Sequence, residues 1–157
     1  MRSKKGFTLI ELLITLAIMG LLATVTVPLA QLHTQRKNEQ ILRSALKEIR
    51  TAIDQYKRAS DEGRIPRNIG ASGYPPNLNI LVEGVLDQRS PVRLKLFFLR
   101  RLPRDPFNSD GSISDEATWG KRAYASEADN PKEGSDVYDV YTTNTNVGLN
   151  GIAYRRW

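Results

Sequence analysis

Cysteine is absent from the 157 residues, and histidine occurs once, as His33. Without cysteine the protein has no disulfide framework, no thiolate metal site and no cysteine nucleophile. His33 lies close in sequence to the polar residues Gln31, Gln35 and Arg36. These neighbours are typical of an ordinary position on a helix surface. No Ser-His-Asp set, metal-spaced cluster or glycine-rich phosphate loop can be assembled from the residues present. We therefore expect no catalytic residues and no metal site, so that the protein is not an enzyme.

The excess of positive charge is small once its position is considered. The net charge is +6, and three of the positive charges, Arg2, Lys4 and Lys5, stand within the first five residues. Without these three the net charge falls to +3, which gives no reason to expect nucleic-acid binding. With roughly thirty residues in the N-terminal segment described next, the rest of the chain supports one small domain.

The sequence contains one long apolar run, from Phe7 to Ala30, directly after the basic residues and Gly6. This run has about the length that a helix needs to cross a bilayer. Its one charged residue is Glu11. A carboxylate at that depth is costly in lipid, so its presence there indicates a partner and a function.

Two ordinary targeting segments share part of this pattern. A secretory signal peptide has a basic start and an apolar centre, but this run is longer, carries a charge and lacks a small-residue cleavage site at its end. A plain signal anchor explains the basic residues and the length of the run. It gives no reason for a glutamate inside the apolar segment.

Residues 4–28, KKGFTLIELLITLAIMGLLATVTVP, resemble the leader and first helical segment of type IV pilin-like proteins. The resemblance implies that a prepilin peptidase cleaves the chain after Gly6 and that the new N-terminal residue, Phe7, is N-methylated. It also implies that Glu11 acts in filament assembly and that Pro28 kinks the helix.

The same resemblance divides the chain into three parts. Residues 1–6 are a cleaved leader, and residues 7–30 are a transmembrane segment that later lies in the filament core. Residues 31–157 are a pilin-like globular domain in the periplasm, carried by a single pass through the bacterial inner membrane.

A helical pattern continues beyond the apolar run. Apolar residues from Leu42 to Tyr56 recur at three- and four-residue spacing, which predicts a helix with one buried stripe. The charged residues around them, including the Glu39–Arg43 pair and Arg50, are expected to form a solvated face. Gly63 ends the pattern, so the sequence predicts one helix from Phe7 to about Ser60.

The remaining predicted elements are short. Residues 61–118 are a connecting region rich in proline and glycine, with a small helix near Leu78–Val85. Aromatic and β-branched residues predict strands at Trp119–Ala125 and Val137–Thr142. The Asn-Gly pair at 150–151 predicts a two-residue hairpin turn between Leu149 and Ile152.

Charge is unevenly distributed over the second half of the chain. Residues 89–104 contain six basic residues and no acidic one, whereas residues 115–139 contain seven acidic and three basic residues. This asymmetry either steers one subunit onto the next or reflects two ordinary solvated surfaces.

Downstream segments resemble the major, G-type pseudopilin of type II secretion systems: LRRLPRDPF at Leu99–Phe107, Trp119, the strand VYDVYTT and the closing GLNGIAYRRW. The resemblance implies an α+β, pilin-like fold, in which a long N-terminal helix packs on a small C-terminal antiparallel β-sheet. The lack of cysteine favours a pseudopilin, because many type IV pilins close their C-terminal region with a cysteine pair.

The function implied is that of a structural subunit that polymerises through its N-terminal helices into a periplasmic pseudopilus for protein export. Its partners would be copies of itself, other pseudopilins, the prepilin peptidase and the inner-membrane platform with its cytoplasmic ATPase. A type IV pilin or DNA-uptake pseudopilin subunit is the alternative. A membrane-anchored periplasmic domain that never polymerises is a third hypothesis.

The sequence departs from the G-type pattern in one respect. Typical major pseudopilins bind calcium in an acidic loop near the C-terminus, but residues 142–157 contain no Asp or Glu here. Calcium prefers six to eight oxygen ligands, usually including carboxylates. Asn144, Asn146 and Asn150, with Asp136 or Asp139, could supply some of them. We expect the asparagines to form turns instead and no cofactor to be bound.

Overall fold

A computed structural model describes residues 6–157, except for the side chains of residues 25–28. The chain divides into two compact units, Met1–Lys37 and Asn38–Trp157. The boundary predicted after residue 30 stays a prediction.

One long helix, α1, covers Leu9–Asp61 and contributes to both units. Its end is fixed by Gly63, which has a φ of 68° that favours glycine. The Arg64 N–H donates to the Ala59 carbonyl at 2.9 Å, and the Gly63 N–H donates to the Ser60 carbonyl at 3.0 Å. This pair of bonds is a Schellman cap, which satisfies carbonyls that the helix leaves without partners. The predicted end near Ser60 is therefore confirmed to within one residue.

The kink predicted at Pro28 falls on residues 25–28, whose side chains lie outside the described residues. The kink stays a prediction.

The core of the second unit forms around the apolar stripe of α1. The stripe predicted from helical spacing is buried, and Ile49 and Leu42 are fully buried within it. It packs against residues from the rest of the unit, which are Ile65, Leu78, Leu81, Leu99, Leu102, Trp119, Val137, Val140 and Tyr154. A helix with one apolar stripe needs such a layer to cover it.

The strands form two small antiparallel sheets. In one, β1 (Val85–Leu86) pairs with β2 (Lys95–Leu96). In the other, β3 (Trp119–Arg122) pairs with β4 (Asp139–Thr142), with Trp119 opposite Thr142. A short helix, α2, covers Ile80–Glu83. The predicted α+β fold, the small helix and the two C-terminal strands are confirmed, whereas β1 and β2 were not predicted.

The segment after α1 is joined to the β1–β2 hairpin by a charged pair. The carboxylate of Asp87 is buried and accepts hydrogen bonds from Arg64 Nη2 at 2.6 Å and Nε at 3.0 Å. The Gln88 N–H also donates to the Arg64 carbonyl at 2.8 Å. The Arg64 hydrogen bond holds the pKa of the Asp87 carboxyl below its ordinary value, and the Arg89 N–H acts in the same direction.

This pair should make the stability of the fold dependent on acid. Because the pKa of Asp87 is lower in the folded chain, its contribution is present above about pH 4 and is lost as the pH falls through the folded pKa. We expect Asp87→Asn to lower the melting temperature of the detergent-solubilised chain at pH 7 and to have much less effect at pH 3. Circular dichroism measures both, with Glu83→Gln, at an exposed position of α2, as the control. An equal effect at both pH values would contradict this.

Candidate functional site

The predicted cleavage bond lies outside the helix. Gly6, Phe7 and Thr8 are not helical, and α1 begins at Leu9. The side chain of Phe7 is 78% exposed, and a Cβ added to Gly6 would meet no atom within 4 Å. A peptide bond in this position is free of helical hydrogen bonds and open to a protease. The basic residues Lys4 and Lys5 lie outside the described residues.

Thr8 caps the first turn of α1. Its Oγ1 accepts a hydrogen bond from the Glu11 N–H at 3.3 Å, and its carbonyl accepts one from the Leu12 N–H at 3.2 Å. Thr8 and Glu11 stand in the spacing of a capping box, S/T-x-x-E. This spacing is visible in the sequence as TLIE, residues 8–11, and is the signal from which the start of α1 could have been predicted.

The cap fixes the position of Glu11. It is the third residue of α1, where the helix dipole favours a negative charge. It is also only about one helical turn from Phe7, the predicted first residue after cleavage. No cationic group within residues 6–157 pairs with the Glu11 carboxylate.

The N-terminal part of α1 is apolar on every side. The helix contains an 18-residue stretch with a mean hydropathy of 2.3, none of which is buried within the protein. The hydroxyls of Thr15 and Thr24 donate to carbonyls of the same helix, at 2.9 and 2.7 Å, and so need no outside partner. The exposed large side chains here are Phe7, Leu9, Ile10, Leu12, Leu13, Ile14, Leu16, Ile18, Met19, Leu21 and Leu22. This surface is long and apolar enough to cross a membrane.

A second polar centre lies in the second unit, where α1 contacts the C-terminal loop, residues 142–157. Glu39 is only 5% exposed, and its Oε1 accepts hydrogen bonds from the Leu149 N–H at 2.8 Å and the Tyr154 hydroxyl at 2.9 Å. Arg43 lies 4.0 Å from Oε2 and stacks over the Trp157 ring at 4.2 Å. The prediction that Glu39 belongs to a solvated face is wrong, because two donors from a distant segment hold its carboxylate in the interior.

Arg50 makes a similar contact about three helical turns further along α1 than Glu39. Its Nε donates to Asp139 Oδ1 at 2.7 Å, and its Nη2 donates to the carbonyl oxygens of Val140 at 3.1 Å and Trp157 at 2.8 Å. Arg122 also contacts Asp139, at 3.4 Å. Arg50 was predicted to be an ordinary surface charge. This too is wrong, because Arg50 binds both β4, which precedes the loop, and Trp157, the last residue of the loop.

Asp105 anchors the start of the loop. It is 1% exposed, and it accepts hydrogen bonds from the Thr142 hydroxyl and, at 2.9 Å, from the Phe107 N–H. Thr142 is itself fully buried. The DPF segment noted in the sequence therefore packs beneath the loop.

The loop is a hairpin with a turn of three residues. The Gly148 N–H donates to the Ile152 carbonyl and the Gly151 N–H to the Gly148 carbonyl, both at 2.9 Å, while Gly151 has a φ of 77°. This is the arrangement of a three-residue loop that ends in a left-handed glycine. The predicted turn is present, but the two-residue form is wrong, because Gly148 rather than Leu149 faces Ile152.

Four of the five candidate calcium ligands are used in other contacts. Asn144 and Asn150 each accept a backbone N–H two residues on, at 2.8 and 3.0 Å, as predicted for turn residues. Asp136 accepts hydrogen bonds from the Tyr124 N–H and the Ser72 hydroxyl, while Asp139 binds the two arginines. Among the described residues, no group of three or more His, Asp or Glu side chains is placed to hold a metal ion.

Much of the acidic segment is paired within its own unit. Asp115 pairs with Arg104, and Glu116 and Glu133 pair with Lys121. These contacts favour the interpretation of residues 115–139 as an ordinary surface over a role in steering subunits together. His33, as expected, is exposed on α1.

The stability of the loop should depend on Arg50. Truncation of the Arg50 side chain removes three hydrogen bonds and leaves Arg122 as the only cation of those described that pairs with Asp139. We therefore expect Arg50→Ala to lower the free energy of unfolding by about 2 kcal/mol. Urea unfolding followed by tryptophan fluorescence, which includes Trp157, measures the change.

Arg58→Ala is the matched control, since Arg58 is exposed on the same helix and belongs to no ion pair of the described residues. Equal stability of the Arg50 and Arg58 variants would show that the Arg50 contacts contribute nothing.

Comparison with known proteins supports the N-terminal prediction. Residues 1–27 match the prokaryotic N-terminal methylation motif. The chain is 28% identical over 137 residues to the type II secretion system core protein G of Pseudomonas aeruginosa, covering 86% of this chain and 91% of that protein. It is 29% identical over 128 residues to the core protein G of Klebsiella pneumoniae, covering 77% and 81%.

A different kind of relative matches a shorter part. The type IV major fimbrial protein FimA of Dichelobacter nodosus is 39% identical over 83 residues, covering 48% of this chain and 52% of that protein. No solved structure matches. The resemblance predicted from the leader and from the downstream segments is confirmed by the motif and by the extent of the core protein G matches.

Proposed function

We propose that this chain, a type IV pilin-like protein, is a structural pseudopilin subunit that polymerises into the periplasmic pseudopilus of a type II secretion system. One observation carries the proposal. The methylation motif, residues 1–27, contains the start of a helix whose 18-residue apolar stretch is nowhere buried, in a chain that matches core protein G along most of its length. Such a helix must lie in lipid or among other apolar helices, and a filament subunit uses both environments in turn.

Processing would take place at the Gly6–Phe7 bond. A small residue at Gly6 and the non-helical backbone of residues 6–8 would let the protease reach this bond. Arg2, Lys4 and Lys5 would hold this end on the cytoplasmic side, which places residues 31–157 in the periplasm. The prepilin peptidase would then be the first partner of the chain.

Mass spectrometry of the membrane-extracted protein tests this step. We expect a chain that begins with N-methylated Phe7, and we expect Gly6→Val to remain as the precursor because its side chain obstructs the protease. Ser3→Ala, within the leader but away from the bond, is the control. An intact Met1 start in a host with active prepilin peptidase would contradict the assignment.

Glu11 would act at the assembly step. In a lone subunit its carboxylate is a cost in the apolar layer, and when the helices bundle it needs a cation close by. Cleavage creates one at a similar depth, the α-amino group of Phe7, which stays positive after methylation. A neighbour's amine would pair with Glu11 and set the axial register of two helices. Assembly would then require processing first.

Glu11→Ala separates assembly from the earlier steps. We expect the variant to insert and to be cleaved, because the protease site is unchanged and an apolar residue costs less in lipid. We expect pseudopilus formation and secretion to be lost, since the neighbour's amine then has no partner. Glu11→Gln, which keeps the size but not the charge, should fail in the same way.

The measurement is a secretion assay paired with a blot that distinguishes precursor from mature chain. Normal secretion by fully cleaved Glu11→Ala protein would show that Glu11 is not the assembly contact.

The other partners follow from this role. They are further copies of the chain, other pseudopilins, and the inner-membrane platform whose cytoplasmic ATPase drives assembly. The work is mechanical, and no enzymatic activity or cofactor is part of the proposal.

A type IV pilin or DNA-uptake subunit is the second candidate, favoured by the match to FimA over about half of each chain. Genes for a secretin and a secretion ATPase beside this one would support the first function. Neighbouring genes for pilus retraction or competence would support the second.

A further inference from the structure

The C-terminal loop is where related major pseudopilins would place a calcium ion, and the residues present do not fit one. A calcium site needs several oxygen atoms directed at one point. In this loop the carbonyls of Asn146, Gly148 and Ile152 accept hydrogen bonds from Tyr154, Gly151 and Gly148 N–H groups, at 3.0, 2.9 and 2.9 Å. The side-chain oxygens of Asn144 and Asn150 are used in turns. Residues 142–157 contain no carboxylate, and these acceptors are already engaged in the hairpin, so the loop does not offer the oxygen set that calcium prefers.

The loop instead directs an N–H and an O–H donor towards Glu39 on α1. The Leu149 N–H, at the tip of the hairpin, and the Tyr154 hydroxyl, where the chain leaves it, converge on one atom, Oε1 of Glu39. Two donors that share one acceptor fix both sides of the turn at the same point on α1. A carboxylate that accepts hydrogen bonds in the interior forms bonds of the stronger, charge-assisted kind.

We propose that Glu39 performs in this chain the task that a bound cation performs in related loops, so that residues 142–157 are held to α1 without calcium. The chemistry is the reverse of a metal loop, because an anion gathers N–H and O–H donors where a cation would gather oxygens. Calcium cannot replace this anchor, since the Leu149 N–H has no lone pair with which to bind a cation.

The surroundings of the anchor support this role. Tyr154 is 2% exposed, with its ring stacked on Phe107 at 4.4 Å and edge-on to Trp157 at 5.0 Å. These aromatic contacts set the direction of the hydroxyl. Arg43, which lies near the second oxygen of Glu39 and over Trp157, adds positive charge at the outer edge. Displacing Glu39 would leave the Leu149 N–H and the Tyr154 hydroxyl without their acceptor.

Amide hydrogen exchange of the full chain in detergent micelles tests the anchor directly. For the natural chain we expect the same protection of the Leu149 amide, and the same melting temperature, with millimolar calcium and with a chelator. We expect Glu39→Ala to lower the Leu149 protection about tenfold or more. We also expect faster tryptic cleavage after Arg155 and Arg156, whose side chains are already exposed but whose backbone belongs to the anchored loop. Glu39→Gln should retain most of the protection, because a single amide oxygen can accept both bonds.

Two further variants complete the test. Glu48→Ala, on an exposed position of the same helix, should leave exchange unchanged. Tyr154→Phe removes one donor, keeps the ring and should lower the melting temperature equally with and without calcium, so the test holds if Glu39→Ala fails to fold.

Three results would overturn the proposal. The first is a rise of many degrees in the melting temperature with calcium, because a ligand that binds only the folded state must stabilise it. The second is natural Leu149 protection in Glu39→Ala, and the third is a natural melting temperature in Tyr154→Phe. Secretion and cleavage do not enter these measurements, so their outcome leaves the role as a pseudopilin subunit to its own tests.

Discussion

Burial of apolar surface along α1 is the constraint on which the rest of the molecule depends. In the second unit the helix is apolar on one stripe, which the two small sheets and their connections cover. In the first unit it is apolar all round, and no residue of its continuous 18-residue apolar stretch is buried within the protein. The C-terminal half of α1 therefore buries its apolar stripe against the rest of the chain. The N-terminal half can bury its apolar surface only in lipid or against other molecules. Every functional expectation for this protein follows from the uncovered part.

Polar groups in such a helix are tolerated only where each has a defined partner. The hydroxyls of Thr15 and Thr24 donate hydrogen bonds to carbonyls of the helix backbone. Thr8 and Glu11 together form the first turn, with the threonine oxygen bound to the glutamate N–H. The helix N-terminus reduces the cost of a carboxylate at this position, because the helix dipole favours a negative charge there. The cap from Thr8 engages the Glu11 N–H and not its carboxylate, whose oxygens are left for an outside cation.

The sequence predicted the features that depend on local pattern. The stripe from Leu42 to Tyr56 repeats with the helical period, Gly63 supplies the left-handed residue at the helix end, and two strands are rich in β-formers. The hairpin of β1 and β2 was missed because strands of two residues are too short to show a period of two. The turn at residues 148–152 was predicted one residue too short, since the Asn-Gly pair marks a turn without fixing its length.

The errors at Glu39 and Arg50 have a different cause. Both lie at positions that the helical period places beside the stripe, where a charged side chain is most often solvated. Their partners, Leu149 and Asp139, stand 110 and 89 residues away in the sequence, so no local pattern contains them. The signal that could have found Glu39 was the absence of Asp and Glu from residues 142–157. A loop rich in N–H donors and without carboxylates of its own needs an acceptor from elsewhere, and Glu39 is the buried carboxylate that α1 brings to it.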